Sequence, residues 1–179
     1  MASAIDVLAE VGHEAASTVR IARSAGVSRG VLTYHFRDRD ELIAEVVAEV
    51  YRLGQAEVGP LVSGADSARG ALLGFIGGSV DFYAAHPRHM AALRTIFAAG
   101  TPVRADAAQH AREMDDVAEL LRTGIAAGEF RDFDATIMAA TIRAALDSAG
   151  ALVMADGSTE SVTRLRAELV RTFDAATRA

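Results

Sequence analysis

The chain has 179 residues, of which 24 are acidic and 18 basic, and it contains no cysteine. Without cysteine, disulfide scaffolds, thiolate zinc sites, iron–sulfur clusters and cysteine nucleophiles are excluded. Since 51% of the residues are hydrophobic, global disorder is not expected. No apolar run reaches the ~18 residues of a membrane span, and the first residues lack the basic segment of a signal peptide. We therefore expect a cytoplasmic protein with no membrane contact.

Helical periodicity recurs along the chain, whereas strand-like alternation is almost absent. Three short helices are predicted first, over residues 5–12, 18–25 and 28–36. A longer helix should follow the capping residue Asp38 and end or kink at Gly59-Pro60, because proline interrupts helical hydrogen bonding.

Five further helices are predicted in the rest of the chain, over residues 67–85, 88–98, 105–127, 134–155 and 159–175. The expected fold class is therefore all-α, with about nine helices. We expect two domains, a small three-helix unit at residues 1–45 and an all-α body at residues 46–179.

The positive charge is concentrated near the N-terminus. All 18 basic residues are arginine, and five of them lie between Ser17 and Arg39, where Asp38 is the one acidic residue. This window carries a net charge of +4, against −10 for the remainder of the chain. A small basic patch on an acidic body suggests a local contact with nucleic acid. A solvated helix face is the alternative interpretation of the same pattern.

Residues 17–36 predict a helix, a glycine-containing turn and a second helix. Gly26 permits the sharp reversal at positive φ. Val27, Val31 and Leu32 should anchor the second helix on the first. The second helix would then expose polar and aromatic groups suited to phosphates and to base edges in the DNA major groove.

This segment resembles the DNA-binding domain of the TetR family of bacterial transcriptional repressors. Residues 25–36, AGVSRGVLTYHF, and residues 37–43, RDRDELI, are similar to the family's recognition helix and to the start of the helix that follows it. The later helices match in their order, and residues 126–134 resemble the loop before the penultimate helix of many members. The resemblance implies a helix-turn-helix domain followed by a helical domain for ligand binding and dimerisation.

Nine residues are implied as DNA contacts by their place in the motif: Ser17, Thr18, Arg29, Gly30, Val31, Thr33, Tyr34, His35 and Arg39. The two at the N-terminal end of the crossing helix would lie near phosphates. Arg29 and Thr33 would reach base edges. Tyr34 and His35 would touch backbone and sugar, and Arg39 would bind a phosphate.

The N-terminus departs from the family pattern. Members usually carry several residues, often basic, before a longer first helix, whereas here Met1 lies only a few residues before Ile5. A shorter first helix would weaken the core of the small domain, and loss of the arm would remove phosphate contacts. A second function therefore stays open, an all-α dimeric ligand-binding protein with weak or lost DNA binding.

The resemblance also implies a ligand pocket walled by the middle helices. Its candidate lining consists of Phe75, Phe82, Tyr83, Met90, Phe97, His110, Met114, Val117, Leu121, Met138 and Ile142. Methionine and phenylalanine at helical spacing also occur in ordinary cores, whereas Tyr83 and His110 would supply polar groups that orient a ligand. The apolar majority indicates a small hydrophobic or amphipathic effector.

The implied partners are a palindromic double-stranded DNA operator, the effector that releases the protein from it, and a second copy bound through the last two helices. An enzyme is the alternative class. His86 and His89 are three residues apart but separated by Pro87, and no glycine-rich phosphate loop is present. We therefore expect no catalytic activity, no metal and no cofactor.

Overall fold

The structure, a computed structural model, describes residues 1–100 and 104–179, without the side chains of residues 104–113. The helices in chain order are α1 (Ala2–Ala15), α2 (Thr18–Ser24), α3 (Arg29–His35), α4 (Arg39–Ser63), α5 (Ala68–Ala85), α6 (Pro87–Ala98), α7 (Arg104–Ala126), α8 (Ala135–Ala155) and α9 (Thr159–Thr177). In these ranges the only strand-like pairing is one bridge between Phe130 and Arg178. The predicted all-α fold with about nine helices is confirmed.

Side-chain caps mark the starts of several helices. Ser17 and Ser28 each accept a hydrogen bond of 3.2 Å from the backbone N–H three residues later, and Asp38 accepts one of 2.8 Å in the same way. Asp134 caps α8 through two N–H groups, and Ser158 caps α9. Each cap satisfies an N–H group that has no partner within its helix.

The fourth helix does not end where the sequence suggested. α4 continues through Pro60 to Ser63. A proline removes one backbone hydrogen bond, and the segment around it is held by close packing against α5. Gly74 allows this approach, since a Cβ there would stand 3.0 Å from the carbonyl oxygen of Leu61. Tertiary packing thus outweighs the local effect of proline.

The chain packs as two compact units. The first comprises Met1–Arg52 and His86–Gln109, and the second comprises Leu53–Ala85 and His110–Ala179. Packing therefore groups α6 with the N-terminal helices, which the predicted domains at residues 1–45 and 46–179 did not anticipate. As a division of function, those domain limits stay a prediction.

In the first unit, α6 packs against α1. Arg88 pairs with Asp6 at an Nη1–Oδ1 distance of 2.8 Å, but both side chains are largely exposed, so the pair contributes little. Apolar burial holds the unit together. Its most buried large side chains are Leu8, Ile21, Leu42, Ile43, Val46, Val47 and Ile96.

The second unit is built around α5, α8 and α9. Its core includes Leu72, Ile76, Val80, Leu121, Phe130, Ile142, Leu146, Val153 and Phe173. By length and composition alone, α8 would suffice to cross a membrane. In the structure it contributes one face to this core, as apolar helices of globular domains commonly do.

The segment after α7, residues 127–134, connects distant parts of the second unit. The Glu129 carboxylate accepts hydrogen bonds from the N–H groups of Ala68 and Arg69 at 3.2 and 3.0 Å, capping the start of α5. The Arg131 side chain donates to the carbonyl of Ala176 at 2.8 Å, near the end of α9. Phe130 is buried between these anchors.

Gly124→Ala tests the packing of Phe130. A Cβ at position 124 would stand 2.2 Å from the Phe130 ring, so the ring must move. We expect the free energy of unfolding to fall by about 1–3 kcal/mol, although alanine favours helix over glycine. Urea unfolding followed by circular dichroism measures the change.

Thr123→Ala is the matched control for that variant, because Thr123 is exposed on the same helix. Its unfolding free energy should stay within about 0.5 kcal/mol of the parent. A Gly124→Ala protein as stable as the control would contradict the described contact.

Candidate nucleic-acid interface and effector cavity

A sharp turn joins α2 to α3. Gly26 has φ +68°, a conformation that side chains with a Cβ rarely adopt. The N–H of Val27 donates to the carbonyl of Ala22 at 3.0 Å, and Ile21 and Ala22 are buried. The predicted helix, turn and second helix are therefore present in the predicted order.

Only one of the three predicted anchors of α3 is buried. Leu32 is 8% exposed, whereas Val27 and Val31 are 39% and 45% exposed. The anchoring prediction is wrong for the two valines, because a helix of two turns buries one narrow face and Leu32 occupies it. Val31 is left on the surface together with the other residues predicted to contact DNA.

The outer surface of α3 carries most of the predicted DNA contacts. Its exposed residues are Arg29, Gly30, Val31, Thr33, Tyr34 and His35. The Tyr34 side chain is 86% exposed, and its ring meets His35 edge to face at 5.3 Å. The Tyr34 ring is therefore accessible to a molecule that approaches the outer surface of α3.

The N-terminal end of α2 lies in the region predicted to meet phosphates. The Ser17 hydroxyl accepts the cap hydrogen bond of the helix, which leaves its own hydrogen to be donated. Thr18, the first residue of α2, is half-buried. Both residues flank backbone N–H groups at the positive end of the helix dipole, where anions are favoured.

Four exposed arginines surround this surface: Arg20, Arg23, Arg29 and Arg37. Within the described part of the chain, a carboxylate pairs with one of them, Glu41 with Arg37 at 3.3 Å. The positive charge of the other three is not compensated by a contact there, so the surface keeps a net positive potential.

Arg39 contacts the end of α1. Its guanidinium donates from Nε to the carbonyl of Ala16 at 3.0 Å and from Nη2 to the carbonyl of His13. The side chain is half-buried and joins the start of α4 to the end of α1. Arg39 thus makes a contact within the unit that was not predicted, and its contact with a phosphate stays a prediction.

His13 lies buried beside this arginine. Burial lowers the pKa of its imidazole below 6.5, and the positive charge of Arg39 lowers it further, against the smaller opposing effects of Asp40 and Glu14. Its Nε2 has no hydrogen-bond partner among the described residues. The neutral ring is therefore the form that fits this site.

A small cavity lies within the second unit. Its volume is about 10 Å³, and it is lined by Phe75, Met114, Val117, Ala139, Ile142 and Arg143. This is room for about one water molecule, so a ligand of several carbon atoms must displace lining side chains. Four residues of the predicted pocket lining border this cavity, together with Ala139 and Arg143, which the sequence analysis did not include; that an effector binds here stays a prediction.

The other predicted lining residues lie elsewhere. Leu121 is fully buried, and Tyr83 and Met138 are partly buried against the core of the second unit. Phe82 is buried against Gly54. Met90 and Phe97 belong to the first unit, so sequence spacing grouped residues that packing separates. The side chain of His110 lies outside the described residues.

The rings of His86 and His89 lie 5.2 Å apart, edge to face. Among the residues that the structure describes, no group of three histidine or acidic residues is placed to hold a metal ion. The histidine pair is thus a contact between two rings of the first unit.

Residues 1–46 match the family model for bacterial regulatory proteins of the tetR family. The HTH-type transcriptional regulator BetI of Proteus mirabilis (strain HI4320) is 43% identical over 51 residues. That alignment spans 28% of this chain and 26% of the relative, so it covers about a quarter of the relative's length. Residues 1–46 are thus identified as an N-terminal domain of the tetR family.

Solved structures of TetR-family and other regulators share the fold over nearly the whole chain. KstR2 of Mycobacterium tuberculosis, described as a ketosteroid transcriptional regulator, aligns with a TM-score of 0.78 at 19% identity, covering 99% of this chain and 92% of that one. A tetR-family regulatory protein from Rhodococcus RHA1 gives 0.78 at 19% identity, covering 95% and 92%.

A further similar structure comes from Saccharomonospora viridis. This transcriptional regulator, solved in complex with choline, gives a TM-score of 0.80 at 20% identity, covering 99% of this chain and 95% of that one. At these identities the similarity concerns the fold, and it extends beyond the N-terminal domain matched by the family model.

The buried imidazole of His13 predicts that the stability of the protein depends on pH. Because the folded state lowers the pKa of His13, the unfolded chain binds a proton more readily below pH 6.5. The contribution of His13 is therefore fully present above about pH 6.5 and is lost as the pH falls below it.

His13→Gln removes this titration. We expect the loss of thermal stability between about pH 8 and about pH 5.5 to be smaller in the variant than in the parent. For each protein, the thermal stability at the lower pH is subtracted from that at the higher pH. A change in stability that is the same at both pH values therefore cancels. Equal losses in both proteins would contradict the assigned role.

Proposed function

We propose that this protein is a ligand-responsive DNA-binding transcriptional regulator, a repressor released from a palindromic operator by a small hydrophobic effector. The observation that carries the proposal is the outer surface of α3, where Tyr34 is 86% exposed beside uncompensated arginines. The match of residues 1–46 to the tetR family supports it.

DNA reading is assigned to α3. Its N-terminal residues Arg29 and Gly30 are exposed, and a Cβ at Gly30 would meet a single atom, the Ser28 hydroxyl oxygen at 3.6 Å. A glycine that packing does not require leaves room for a close approach of DNA backbone or bases. Arg29 would donate to guanine, Thr33 would meet base edges, and Tyr34 and His35 would meet sugar and phosphate.

A homodimer is proposed because a palindromic operator presents two half-sites about 34–36 Å apart. α8 carries a suitable surface, a stripe of small and apolar side chains exposed to solvent. The stripe consists of Ile137, Ala140, Thr141, Ala144, Ser148, Ala151, Leu152 and Ala155. Ile137 and Leu152 are 66% and 57% exposed, and pairing with a second copy would bury them. α9, which packs beside α8, would complete a four-helix interface.

The effector site is assigned to the cavity of the second unit. An effector lowers DNA affinity only if it binds better to a state whose α3 helices are spaced wrongly for the operator. Choline, bound by the Saccharomonospora viridis protein, is a cation. Because Arg143 is among the residues lining this cavity, a quaternary ammonium is disfavoured as the effector here.

Fluorescence anisotropy tests the DNA-binding function. The probes are a duplex taken from upstream of the protein's own gene and a scrambled duplex of equal composition, each at two salt concentrations. We expect selective binding to the upstream duplex that weakens as salt rises. Equal weak binding to both duplexes would overturn the proposal in favour of a helical ligand-binding protein without operator recognition.

Arg29→Ala should reduce base discrimination. Loss of a bidentate pair with guanine costs about 1–3 kcal/mol, which lowers the ratio of operator to scrambled-DNA affinity by roughly 5–150-fold. Arg94→Ala is the control, since Arg94 is exposed on α6 of the same unit and the change in net charge is identical. If the ratio of operator to scrambled-DNA affinity were equal in the two variants, Arg29 would not be a base-contacting residue.

Ile137→Glu should disrupt the proposed dimer. Two-fold symmetry would bring the substitution into the interface from both copies, so we expect the dimer dissociation constant to rise by about tenfold or more. Sedimentation equilibrium measures it. Thr136→Glu is the control, because it introduces the same charge one residue away and outside the stripe. It should leave the dimer dissociation constant unchanged. Similar dissociation constants for the two variants would contradict this interface.

A further inference from the structure

Arg143 is the one charged residue among the six that line the described cavity. Its side chain is four-fifths buried, with 20% exposed. The remaining lining consists of apolar side chains from α5, α7 and α8. A guanidinium in such surroundings has lost much of its hydration, and an anion that replaces the lost water is strongly favoured over a neutral group.

The ion pair of Arg143 is suited to exchange. Its Nε lies 3.0 Å from Oδ1 of Asp147, one turn later on α8, and the Asp147 side chain is 58% exposed. An acid that follows its base along a helix is the less favourable order for such a pair, and solvent weakens the attraction. A carboxylate bound in the cavity would pair with the same guanidinium in an environment that is less accessible to water than the Asp147 side.

The rest of the lining limits the shape of the ligand. At about 10 Å³ the cavity admits no ring without rearrangement. Met114 is partly buried and has a flexible, unbranched side chain that adapts to a neighbour. Ala139 contributes the shortest side chain of the lining. An unbranched, flexible ligand chain can therefore take over the contacts that Met114 makes, and it displaces fewer of the packed lining side chains than a ring would.

We propose that the effector is an amphipathic monoanion, an unbranched apolar chain whose terminal carboxylate pairs with Arg143. This inference rests on the proposed function, in which an effector occupies the second unit. The chain would lie among Phe75, Met114 and Val117. A cation would meet the positive guanidinium, and a neutral alcohol would leave the ion pair with Asp147 in place.

Isothermal titration calorimetry of the full-length protein without DNA tests the anion site. The probes are octanoate, decanoate and dodecanoate, with decanol and decyltrimethylammonium as neutral and cationic equivalents, all below their micelle thresholds. We expect at least one carboxylate to bind about tenfold more tightly than decanol, and the cation to bind more weakly than both. Decanol binding as tightly as the carboxylates, or carboxylates failing to bind, would overturn the proposal.

Two substitutions at Arg143 separate charge from packing. Arg143→Gln should lower carboxylate affinity by about tenfold or more and leave decanol affinity unchanged, whereas Arg143→Lys should retain most of it. Arg122→Gln is the control, because Arg122 is exposed on α7 and pairs with Glu119 away from the cavity lining. Carboxylate affinity unchanged by Arg143→Gln would overturn the assignment even if all variants fold.

The anisotropy assay on the same samples distinguishes this inference from the proposed function. Carboxylate binding that depends on Arg143 and also releases the operator supports both. Binding that leaves operator affinity unchanged supports the anion site and overturns its regulatory role. Failure to bind any operator overturns the proposed function, whereas the calorimetric result stands independently.

Discussion

The contact between Arg39 and the end of α1 fixes how two helices of the first unit meet within its apolar core. One guanidinium donates to the carbonyls of both His13 and Ala16, groups at a helix end that otherwise lack full intrahelical pairing. The planar fork of arginine can satisfy two acceptors at once, which a lysine ammonium does with less geometric control. The start of α4 is thereby fixed to the helix that supports α2 and α3. An arginine that looks like a surface charge in the sequence therefore joins the N-terminal helices from within.

Local features were predictable because they depend on neighbours in the sequence. The caps at Ser17, Ser28 and Asp38 and the reversal at Gly26 follow from hydrogen-bonding and φ preferences that act over three or four residues. The exposed positions on α3 followed from the motif. Long-range packing was not predictable in this way. It carries α4 through Pro60, exposes Val27 and turns Arg39 inward, and no short segment contains that information.

The lining of the cavity, the candidate effector site, was also only partly predictable from the sequence. Phe75, Met114 and Val117 were found from apolar spacing because their chemistry matches the core around them. Arg143 was missed because a charged residue in a helix is ordinarily assigned to the surface. The predicted residues of α6 lie in the other unit, since periodicity identifies which face of a helix is apolar but not which unit that face enters. A search for charged residues on otherwise apolar faces would have found Arg143.

The uneven charge distribution would orient a DNA duplex as it approaches the protein. The window around α2 and α3 has a net charge of +4 and the remainder of the chain −10. At physiological salt these fields extend about 8 Å, so an approaching duplex is attracted at one surface and repelled elsewhere. In the proposed function, the arginines of this window would therefore orient the duplex although the chain as a whole is acidic.

The segment after α7 has a consequence for synthesis on the ribosome. Glu129 binds a backbone group 61 positions earlier, and Arg131 binds one 45 positions later, so the second unit cannot close until α9 has been translated. The first unit, by contrast, is complete at Gln109. The first unit can therefore fold while α9 is still being synthesised, and the apolar residues that pack against Phe173 of α9 stay exposed until that helix emerges.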